Sequence, residues 1–482
     1  MTNRCQVFTP KPYVIKMLNA INYKGNRVLK KYVLENSCGE GNILIQVVSR
    51  YIKIALKAQY SVEQIKVDLE TYIIGFEIDN KVRKNCINNL NEVTRKYGIN
   101  NVDWKIINCD YLRFESIYKF HYIIGNPPYI KYHDLNELNR SFLKNNFDSC
   151  KVGKFDYCYA FIEKGLKDLH NDGKMIYIIP NSIFKNVYAE SIRKIMLPSI
   201  KTIFDYKESS VFKNALTSPA IILFDANRKA TSVEYNDEDN NEKIKIKKQV
   251  LRNNKKWLFS YSPEKSANYK LGDFFKVSNS VATLRNSIFV INENDIVSKC
   301  TEYIYMDGFK LEKTLLKKAA SPRAYSYNIK EYIIFPYYYE SSELKRYSNA
   351  ELKRNFPEAY KYLKFHKKEL DKRTSDKAAE WFEYGRSQAL RYLNQNKLMI
   401  SSIITDNIKT YKLDLETIPY SGFYIIAKGK YSLQEVEKIL KSKEFLEYIT
   451  LRSINANGKS VRCSVKEIME FPLNLEIDWD EI

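Results

Sequence analysis

Between residues 28 and 225, short apolar segments alternate with longer amphipathic ones, and this alternation restricts the possible folds more than any other feature of the sequence. The apolar segments have the length of buried strands, and the longer segments repeat apolar residues at the 3.6-residue spacing of a helix. Alternating strands and helices predict an α/β fold, in which helices cover both faces of a mostly parallel sheet. The predicted strands are Val33–Glu35, Tyr72–Glu77, Trp104–Ile107, Tyr122–Ile124, Met175–Ile179 and Ala220–Phe224, and the predicted helices are Asn42–Gln59, Asn80–Tyr97, Tyr157–Leu169 and Val187–Leu197.

The pattern changes at an acidic run over residues 236–242, which a basic run over residues 243–256 follows. A charge reversal of this kind is typical of a linker. It predicts two domains, 1–240 and 241–482, of which the first has a Rossmann-like α/β fold. For the second domain, irregular strands, aromatic clusters and polar helices indicate a mixed α+β fold.

The chain of 482 residues carries a formal net charge of +21, which favours a polyanionic partner such as nucleic acid. No apolar run approaches the length of about 18 residues that a membrane span needs, and the first residues lack the apolar region of a secretory signal. The eight cysteines form no C-x-x-C pair, and none of the four histidines is spaced with another as a metal pair. We therefore expect a cytoplasmic protein with no membrane segment, disulfide framework or bound metal.

The tetrapeptide Asn126-Pro127-Pro128-Tyr129 follows the predicted strand Tyr122–Ile124. An exocyclic amine is a poor nucleophile because its lone pair is delocalised into the ring that bears it. The side-chain oxygen of Asn126 and the backbone carbonyl of Pro127 can each accept one N–H of such an amine and stabilise the positive charge that develops during attack. Tyr129 offers an aromatic face to an extruded base. The same four residues also fit an ordinary turn, but their position at the end of a buried parallel strand favours a catalytic site.

The segment between the first predicted strand and the first predicted helix contains Gly39 and Gly41 after Glu35. Glycines in a strand-to-helix turn let the backbone pass close to a ligand, and the helix N-terminus favours a carboxylate. A dinucleotide site would have a third glycine at the position of Leu44. Its absence argues against a pyrophosphate cradle.

Acidic residues lie at or shortly after the ends of the next two predicted strands. Glu77 is placed to accept both ribose hydroxyls of a nucleoside cofactor, and Asp110 is placed to accept from an adenine amine. Ile78 and Tyr111 follow these acids and are expected to sandwich the adenine ring. For any one of the acids taken alone, a solvated or helix-capping carboxylate is the more ordinary interpretation; the series of strand-end residues followed by Asn-Pro-Pro-Tyr favours a site.

In order and content, these motifs resemble the gamma-type adenine-N6 DNA methyltransferases of restriction–modification systems, the TaqI-like N-P-P-Y family. The resemblance includes Val7-Phe8-Thr9-Pro10, Asp172-Gly173-Lys174, Pro180 to Phe184, and Val211 to Ala220. Departures are Cys5, where glycine is frequent, and Asn36, where proline is frequent.

The resemblance implies S-adenosylmethionine as cofactor and an adenine flipped out of double-stranded DNA as substrate, with Phe212 packed against that base opposite Tyr129. It implies that Thr9 and Pro10 contact the methionine part of the cofactor. Weaker similarity after residue 270, including Leu271–Phe274, Asn286 and Phe289, implies that the second domain recognises the DNA target. The full expected cofactor site is Thr9, Pro10, Glu35, Gly39, Gly41, Glu77, Ile78, Asp110 and Tyr111.

Other interpretations stay open at the level of sequence. The same tetrapeptide serves enzymes that methylate protein glutamine, and a charge of +21 also suits an RNA adenine methyltransferase. A non-catalytic Rossmann-like domain that only holds nucleic acid is a third alternative. No nuclease motif is apparent, so we expect a methyltransferase that acts as a monomer on DNA, either alone or beside a separate restriction endonuclease.

Overall fold

The computed structural model describes residues 9–207, 218–259, 269–306, 308–429, 431–457 and 460–473. The chain forms two compact units. Unit 1 comprises Met1–Tyr261 and Ile454–Lys459, and unit 2 comprises Ser262–Ser453 and Ser460–Ile482. No helix among the described residues is both long enough and apolar enough to cross a membrane.

Unit 1 contains a nine-stranded sheet with the order β3-β2-β1-β4-β5-β7-β6-β8-β9. Its strands are β1 (Val33–Glu35), β2 (Ile73–Phe76), β3 (Lys105–Ile107), β4 (Phe120–Gly125), β5 (Leu169–Pro180), β6 (Ile200–Asp205), β7 (Pro219–Asp225), β8 (Ser232–Asp237) and β9 (Glu242–Lys247). Its helices are α1 (Lys11–Ala20), α2 (Asn42–Lys57), α3 (Val62–Tyr72), α4 (Asn80–Arg95), α5 (Glu137–Asn146), α6 (Cys158–Asp168), α7 (Glu190–Met196) and α8 (Lys248–Asn253).

The first five strands of the sheet run parallel, and β7 lies antiparallel between β5 and β6. Consecutive residues of one strand enter different hydrophobic cores: Val33 packs with α1 and α2, and Leu34 packs with α6 and α7. A strand that is buried on both faces needs apolar residues at every position, which is why the sequence shows continuous apolar runs. The predicted Rossmann-like α/β fold is confirmed.

The chain order of the strands reverses at β1, which pairs with β2 on one side and with β4 on the other. In an open parallel sheet, the crevice at such a reversal point, beyond the carboxyl ends of the strands, is where ligands bind. The architecture therefore directs attention to the residues that follow β1, β2 and β4.

The charged segment that we interpreted as a linker is an edge hairpin, so that interpretation is wrong. β8 pairs with β6 and antiparallel with β9, whose residues alternate between lysine or glutamate and isoleucine. Charge on an edge strand protects the edge from pairing with another chain. Unit 1 also continues to Trp257, whose ring is 1% exposed, so its extent exceeds the expected residue 240.

Unit 2 combines several small sheets with short helices, which confirms the mixed α+β class. Its helices are α9 (Leu271–Phe274), α10 (Asn286–Phe289), α11 (Pro322–Ser326), α12 (Asn349–Asn355), α13 (Pro357–Phe365), α14 (Lys367–Leu370), α15 (Leu433–Lys441), α16 (Lys443–Arg452) and α17 (Val465–Met469). Two four-stranded sheets, β11-β24-β20-β22 and β12-β17-β16-β23, lie at its centre of hydrophobic packing.

The strands after β9 are β10 (Tyr269–Lys270), β11 (Phe275–Asn279), β12 (Val290–Asn292), β13 (Ser298–Lys299), β14 (Tyr303–Met306), β15 (Phe309–Glu312), β16 (Leu316–Ala320), β17 (Glu331–Ile334), β18 (Tyr337–Glu340), β19 (Glu343–Arg346), β20 (Lys397–Ile400), β21 (Ile403–Ile404), β22 (Thr410–Leu413), β23 (Thr417–Pro419), β24 (Phe423–Ala427), β25 (Ile454–Asn457), β26 (Ser460–Arg462) and β27 (Pro472–Leu473).

Candidate active site

The glycine turn after β1 is held in a shape that needs glycine. Gly39 has φ +53° and Gly41 has φ +87°, which are left-handed conformations that other residues rarely adopt. A Cβ on Gly41 would also lie 2.8 Å from the Sγ of Cys86 on α4. A Cβ on Gly39, in contrast, would meet no heavy atom within 4 Å. The turn therefore packs tightly against α4 at Gly41 and leaves open space beside Gly39, where a ligand can approach the backbone.

Glu77 connects the glycine turn to the end of β2. One of its carboxylate oxygens accepts from the backbone N–H of Gly39 at 3.0 Å, and the other accepts from the N–H of Asp79 at 2.9 Å. The Asn108 side chain donates to the backbone carbonyls of Glu77 and Ile78, both at 2.9 Å, and thereby fixes the loop after β2. Sequence reasoning missed Asn108, although its place directly after β3 is the same strand-end signal that identified the acids.

Ile78 and Asp110 lie where the sequence placed them. The Ile78 side chain is 55% exposed, so an apolar face is available beside Glu77. Asp110 follows β3, accepts from the N–H of Leu112 at 3.0 Å, and forms a 3.4 Å ion pair with Arg113. One carboxylate oxygen thus shapes the local turn, and the other lies beside a guanidinium.

Glu35 and Tyr111, two residues of the expected cofactor site, lie inside the protein, where each has a hydrogen-bond partner. Glu35 is 2% exposed and accepts from the N–H of Leu44 in the first turn of α2, at 3.1 Å. Burial raises the pKa of Glu35 well above its usual value, with Cys86 adding to the effect. The Tyr111 ring is 2% exposed, packs against Phe76, and donates its hydroxyl to Asp168 at 2.8 Å. The sequence could not separate a ring in the core from a ring facing a ligand.

The tetrapeptide Asn126-Pro127-Pro128-Tyr129 lies beyond the carboxyl end of β4. The Tyr129 hydroxyl contacts the Oδ1 atom of Asn126 and lies 2.6 Å from the carbonyl oxygen of Ile178 on β5, to which it can donate. Burial raises the pKa of Tyr129 well above its usual value, so this hydroxyl remains a protonated donor. Pro127 is buried, and Pro128 is partly exposed. The side-chain oxygen that we expect to accept from a target amine is therefore oriented by the tyrosine of its own motif.

A hydrogen bond joins the tetrapeptide to the glycine turn. The hydroxyl of Ser37 donates to the backbone carbonyl of Asn126 at 3.1 Å. Next to it, Asn36 donates its side-chain amide to the hydroxyl of Tyr177 on β5. The expected cofactor turn and the expected catalytic loop are thus neighbours at the reversal point of the sheet.

The other site residues that the sequence predicts are Thr9, Pro10 and Phe212. Thr9 is buried and Pro10 is the N-cap of α1. The ring of Tyr13 on α1 lies 5.4 Å from that of Tyr206, which follows β6, so this helix begins at the same edge of the sheet as the other motifs. Phe212 lies outside the described residues.

Two histidines that are far apart in sequence come together at the opposite edge of the sheet. The rings of His121 and His170 stack at 4.3 Å, and their ligand atoms lie within 4.8 Å of a carboxylate oxygen of Asp172. Four residues of β5 bulge out opposite one residue of β4 at this place. Spacing along the chain could not show this cluster, which lies away from the tetrapeptide.

The residues at the reversal point fit S-adenosylmethionine. The open space beside Gly39 admits a polar ligand to the backbone, Glu77 has carboxylate lone pairs for ribose hydroxyls, and Ile78 offers an apolar face. The Rossmann-like fold and this donor set are compatible with an S-adenosylmethionine-dependent methyltransferase.

Comparison with known proteins specifies the relationship. The model of the Eco57I restriction-modification methylase family matches residues 43–212. The chain is 24% identical over 420 residues to the Type II restriction enzyme and methyltransferase RM.Eco57I of Escherichia coli, covering 76% of this chain and 41% of that protein. It is 27% identical over 328 residues to the Type II methyltransferase M.AccI of Acinetobacter calcoaceticus, covering 62% and 54%. The chain thus spans about half the length of these relatives.

Two solved structures share the fold. The Type IIL restriction-modification enzyme MmeI, solved with DNA, superposes with a TM-score of 0.65 at 12% identity, covering 96% of this chain and 67% of that chain. The DrdV–DNA complex gives a TM-score of 0.55 at 12% identity, covering 98% and 56%. These matches confirm the predicted resemblance to restriction–modification methyltransferases.

Proposed function

We propose that this protein transfers a methyl group from S-adenosylmethionine to N6 of an adenine extruded from double-stranded DNA. The observation that carries the proposal is the hydrogen bond from Ser37 to the Asn126 carbonyl, because it holds the amine-binding tetrapeptide against the glycine turn. When bound, the cofactor supplies an electrophilic methyl group. The protein must therefore bring one nitrogen in line with it and make that nitrogen nucleophilic.

The chain's own groups perform the second task. Asn126 Oδ1 and the carbonyl of Pro127 accept the two N–H groups of the exocyclic amine and draw its lone pair out of conjugation with the ring. Both acceptors become more favourable as positive charge develops, so they stabilise the transition state more than the bound substrate. Tyr129 holds the Asn126 oxygen, and its ring lies within the same loop as the base-binding acceptors.

Unit 2 is the proposed target-recognition domain, and double-stranded DNA is the proposed partner. The charge of +21 supports this partner, as do relatives and structural neighbours whose names describe DNA restriction and modification. We further propose that the protein acts in the cytoplasm as a monomer on DNA, alone or beside a separate restriction endonuclease.

Methylation by the purified full chain tests the proposal. Duplex DNA, RNA of the same sequence and a glutamine-containing protein substrate are incubated with labelled S-adenosylmethionine, and the products are digested and separated by mass spectrometry. We expect N6-methyladenine in duplex DNA. Methylation confined to RNA or protein, or N4-methylcytosine as the DNA product, would contradict the proposal.

An Asn126→Ala variant connects that activity to the site. Losing one acceptor that strengthens in the transition state costs about 2.7–4 kcal/mol, so kcat should fall about 100- to 1,000-fold. Cofactor affinity by calorimetry should change less than about two-fold, because Asn126 faces the amine. Asn100→Ala, at an exposed asparagine in the loop after α4, is the matched control and should keep full activity.

A further inference from the structure

Unit 2 contains a leucine in a conformation that leucine rarely adopts. Leu284 has φ +58°, and its side chain is 39% exposed. The left-handed region is unfavourable for a residue with a Cβ, and such residues persist only where the surrounding structure holds them. Because 39% of this leucine is exposed, burial compensates its conformational cost only in part.

Several bonds hold the backbone around Leu284. The carbonyl of Thr283 accepts from the Arg373 guanidinium at 2.7 Å and from the N–H of Gly385 at 3.4 Å. The buried Thr283 hydroxyl accepts from the N–H of Arg285 at 3.0 Å. The Leu284 side chain lies over Gly385, where an added Cβ would be 2.5 Å from its Cδ1. These contacts give the segment a single, rigid shape.

Four consecutive exposed residues form what we call the tip: Leu284, Arg285, Asn286 and Ser287. The next two residues, Ile288 and Phe289, are buried and anchor α10 in the core of unit 2. The tip thus presents an apolar group, a guanidinium, a hydroxyl, and an amide whose Oδ1 atom already accepts from the hydroxyl of Thr283. These are the side chains that read base edges in a DNA groove: arginine on guanine, asparagine on adenine, and apolar groups on the thymine methyl.

Three arginine side chains lie in or near the tip, and they differ in whether their guanidinium groups have partners. Arg386 forms a 2.8 Å ion pair with Asp376, and Arg373 directs its guanidinium to backbone carbonyls, including that of Glu383 at 2.9 Å. In the described part of the chain, the Arg285 guanidinium has no hydrogen-bond or ion-pair partner. Burial lowers the pKa of Arg373, and the positive charge of Arg285 lowers it further although Tyr337 opposes the effect. Arg285 and Arg373 are two neighbouring cations, and the guanidinium of Arg285 is available for a ligand. This arrangement favours an anionic partner.

We propose that the tip enters a groove of double-stranded DNA and reads the target, with Arg285 making a hydrogen-bonded base contact and Leu284 an apolar one. This inference rests on the proposed function, because it assigns a part of unit 2 to recognition of the same substrate. The strain at Leu284 then has a use, since a preorganised tip loses little conformational freedom on binding.

The first test compares Arg285→Ala with Arg354→Ala, which removes the same charge from an exposed position on α12. The methylated site is first mapped by sequencing N6-methyladenine in DNA from cells that express the protein. Dissociation constants are then measured by fluorescence anisotropy for a duplex with this site and for a scrambled duplex. Arg285→Ala should weaken binding to the mapped site about 5- to 150-fold, the range of one good base contact. It should weaken binding to the scrambled duplex less than about three-fold.

Sequencing of the variant gives a second readout, because a lost base contact relaxes specificity at one position of the mapped site. Equal losses on both duplexes, a loss matched by Arg354→Ala, or no loss would overturn the inference. So would a wild-type preference for double-stranded RNA of the same sequence. If the wild type methylates no DNA, the proposed function itself fails; if it does and Arg285→Ala is unchanged, only the tip assignment fails.

The Leu284→Gly variant distinguishes a role of Leu284 in DNA binding from a role in the stability of unit 2. Glycine accepts φ +58° without strain, so the melting temperature should stay level or rise while affinity for the mapped site falls at least three-fold. A lower melting temperature with unchanged DNA affinity would make Leu284 a cover for Gly385 and overturn its role in binding.

Discussion

The Oδ1 atom of Asn126 is the acceptor on which the proposed chemistry depends, and a hydroxyl already contacts it. An amide side chain can present either its oxygen or its nitrogen, and only the oxygen accepts from an amine. The Tyr129 hydroxyl contacts Oδ1 and can donate its one proton either to that atom or to the carbonyl oxygen of Ile178. Tyr129 therefore has a positioning role that the expectation of ring stacking did not include.

Removing that hydroxyl should have a modest, specific effect. Tyr129→Phe keeps the ring and loses the contacts to Asn126 and Ile178, and one net hydrogen bond is worth about 0.5–1.5 kcal/mol. We expect kcat to fall about 2- to 13-fold in steady-state methylation, with cofactor affinity unchanged. Tyr129→Ala, which also loses the ring, should be much less active. Full activity of the phenylalanine variant would assign the whole role to the ring.

Glu77 is the residue at which cofactor binding should be most sensitive. Glu77→Gln keeps the size of the side chain but turns one acceptor into a donor that faces the N–H of Gly39 or Asp79. An unsatisfied group of this kind costs about 1–3 kcal/mol, so the dissociation constant for S-adenosylmethionine should rise about 5- to 150-fold in calorimetry. Glu92→Gln on the exposed face of α4 is the control. Equal affinities for the two variants would move the cofactor away from β2.

At the scale of elements, the segment after β9 decides where unit 1 ends. Trp257 stacks on Phe184 with ring centroids 6.3 Å apart, donates its indole N–H to Leu251 at 2.9 Å, and is almost fully buried. A residue that belongs to a linker would not fill the core of the preceding domain.

Truncating this side chain should destabilise the fold. Trp257→Ala creates a large cavity, and such changes cost about 3–5 kcal/mol in free energy of unfolding, measured by urea titration. Trp257→Phe should recover part of the loss. A cost below about 1 kcal/mol for the alanine variant would mean that unit 1 is complete without this segment.

The strands that the sequence could predict are the buried ones. The strands β1, β2 and β4 are mostly apolar because both faces are covered, so their ends were predicted to within two residues. The hairpin β8–β9 was missed because an edge strand carries charge on its exposed residues, and charge runs also mark linkers. The helix α3 was missed despite the capping box of Ser61 and Gln64, since its apolar face is narrow.

The candidate site also contains residues that the sequence could place and residues that it could not. Asn126, Glu77 and the glycines were predictable because they follow strands and the backbone alone places them. Glu35 and Tyr111 were assigned to the ligand, but the structure buries them, because direction of a side chain at a strand end depends on packing that no local pattern records. The contact of Ser37 with Asn126 joins residues 89 positions apart and had no signal in the sequence.

At the scale of the whole molecule, the charge of +21 makes binding to a polyanion dependent on salt. If the protein neutralises six to ten phosphates, its affinity for duplex DNA should fall about 1,000- to 100,000-fold between 50 and 200 mM salt. Anisotropy titrations over that range measure the slope. Cofactor affinity in the same buffers is the control and should change little, and a flat DNA profile would make the charge irrelevant to binding.

The bond between Ser37 and the Asn126 carbonyl has a thermodynamic consequence. A change in the glycine turn that shifts this bond alters both the proposed cofactor-binding surface and the proposed base-binding surface. Heterotropic coupling of this kind is reciprocal: whatever factor the bound cofactor applies to the affinity for the flipped adenine, the flipped adenine applies to the affinity for the cofactor. If both ligands bind as proposed, the hydroxyl of one serine couples their affinities before any bond is made or broken.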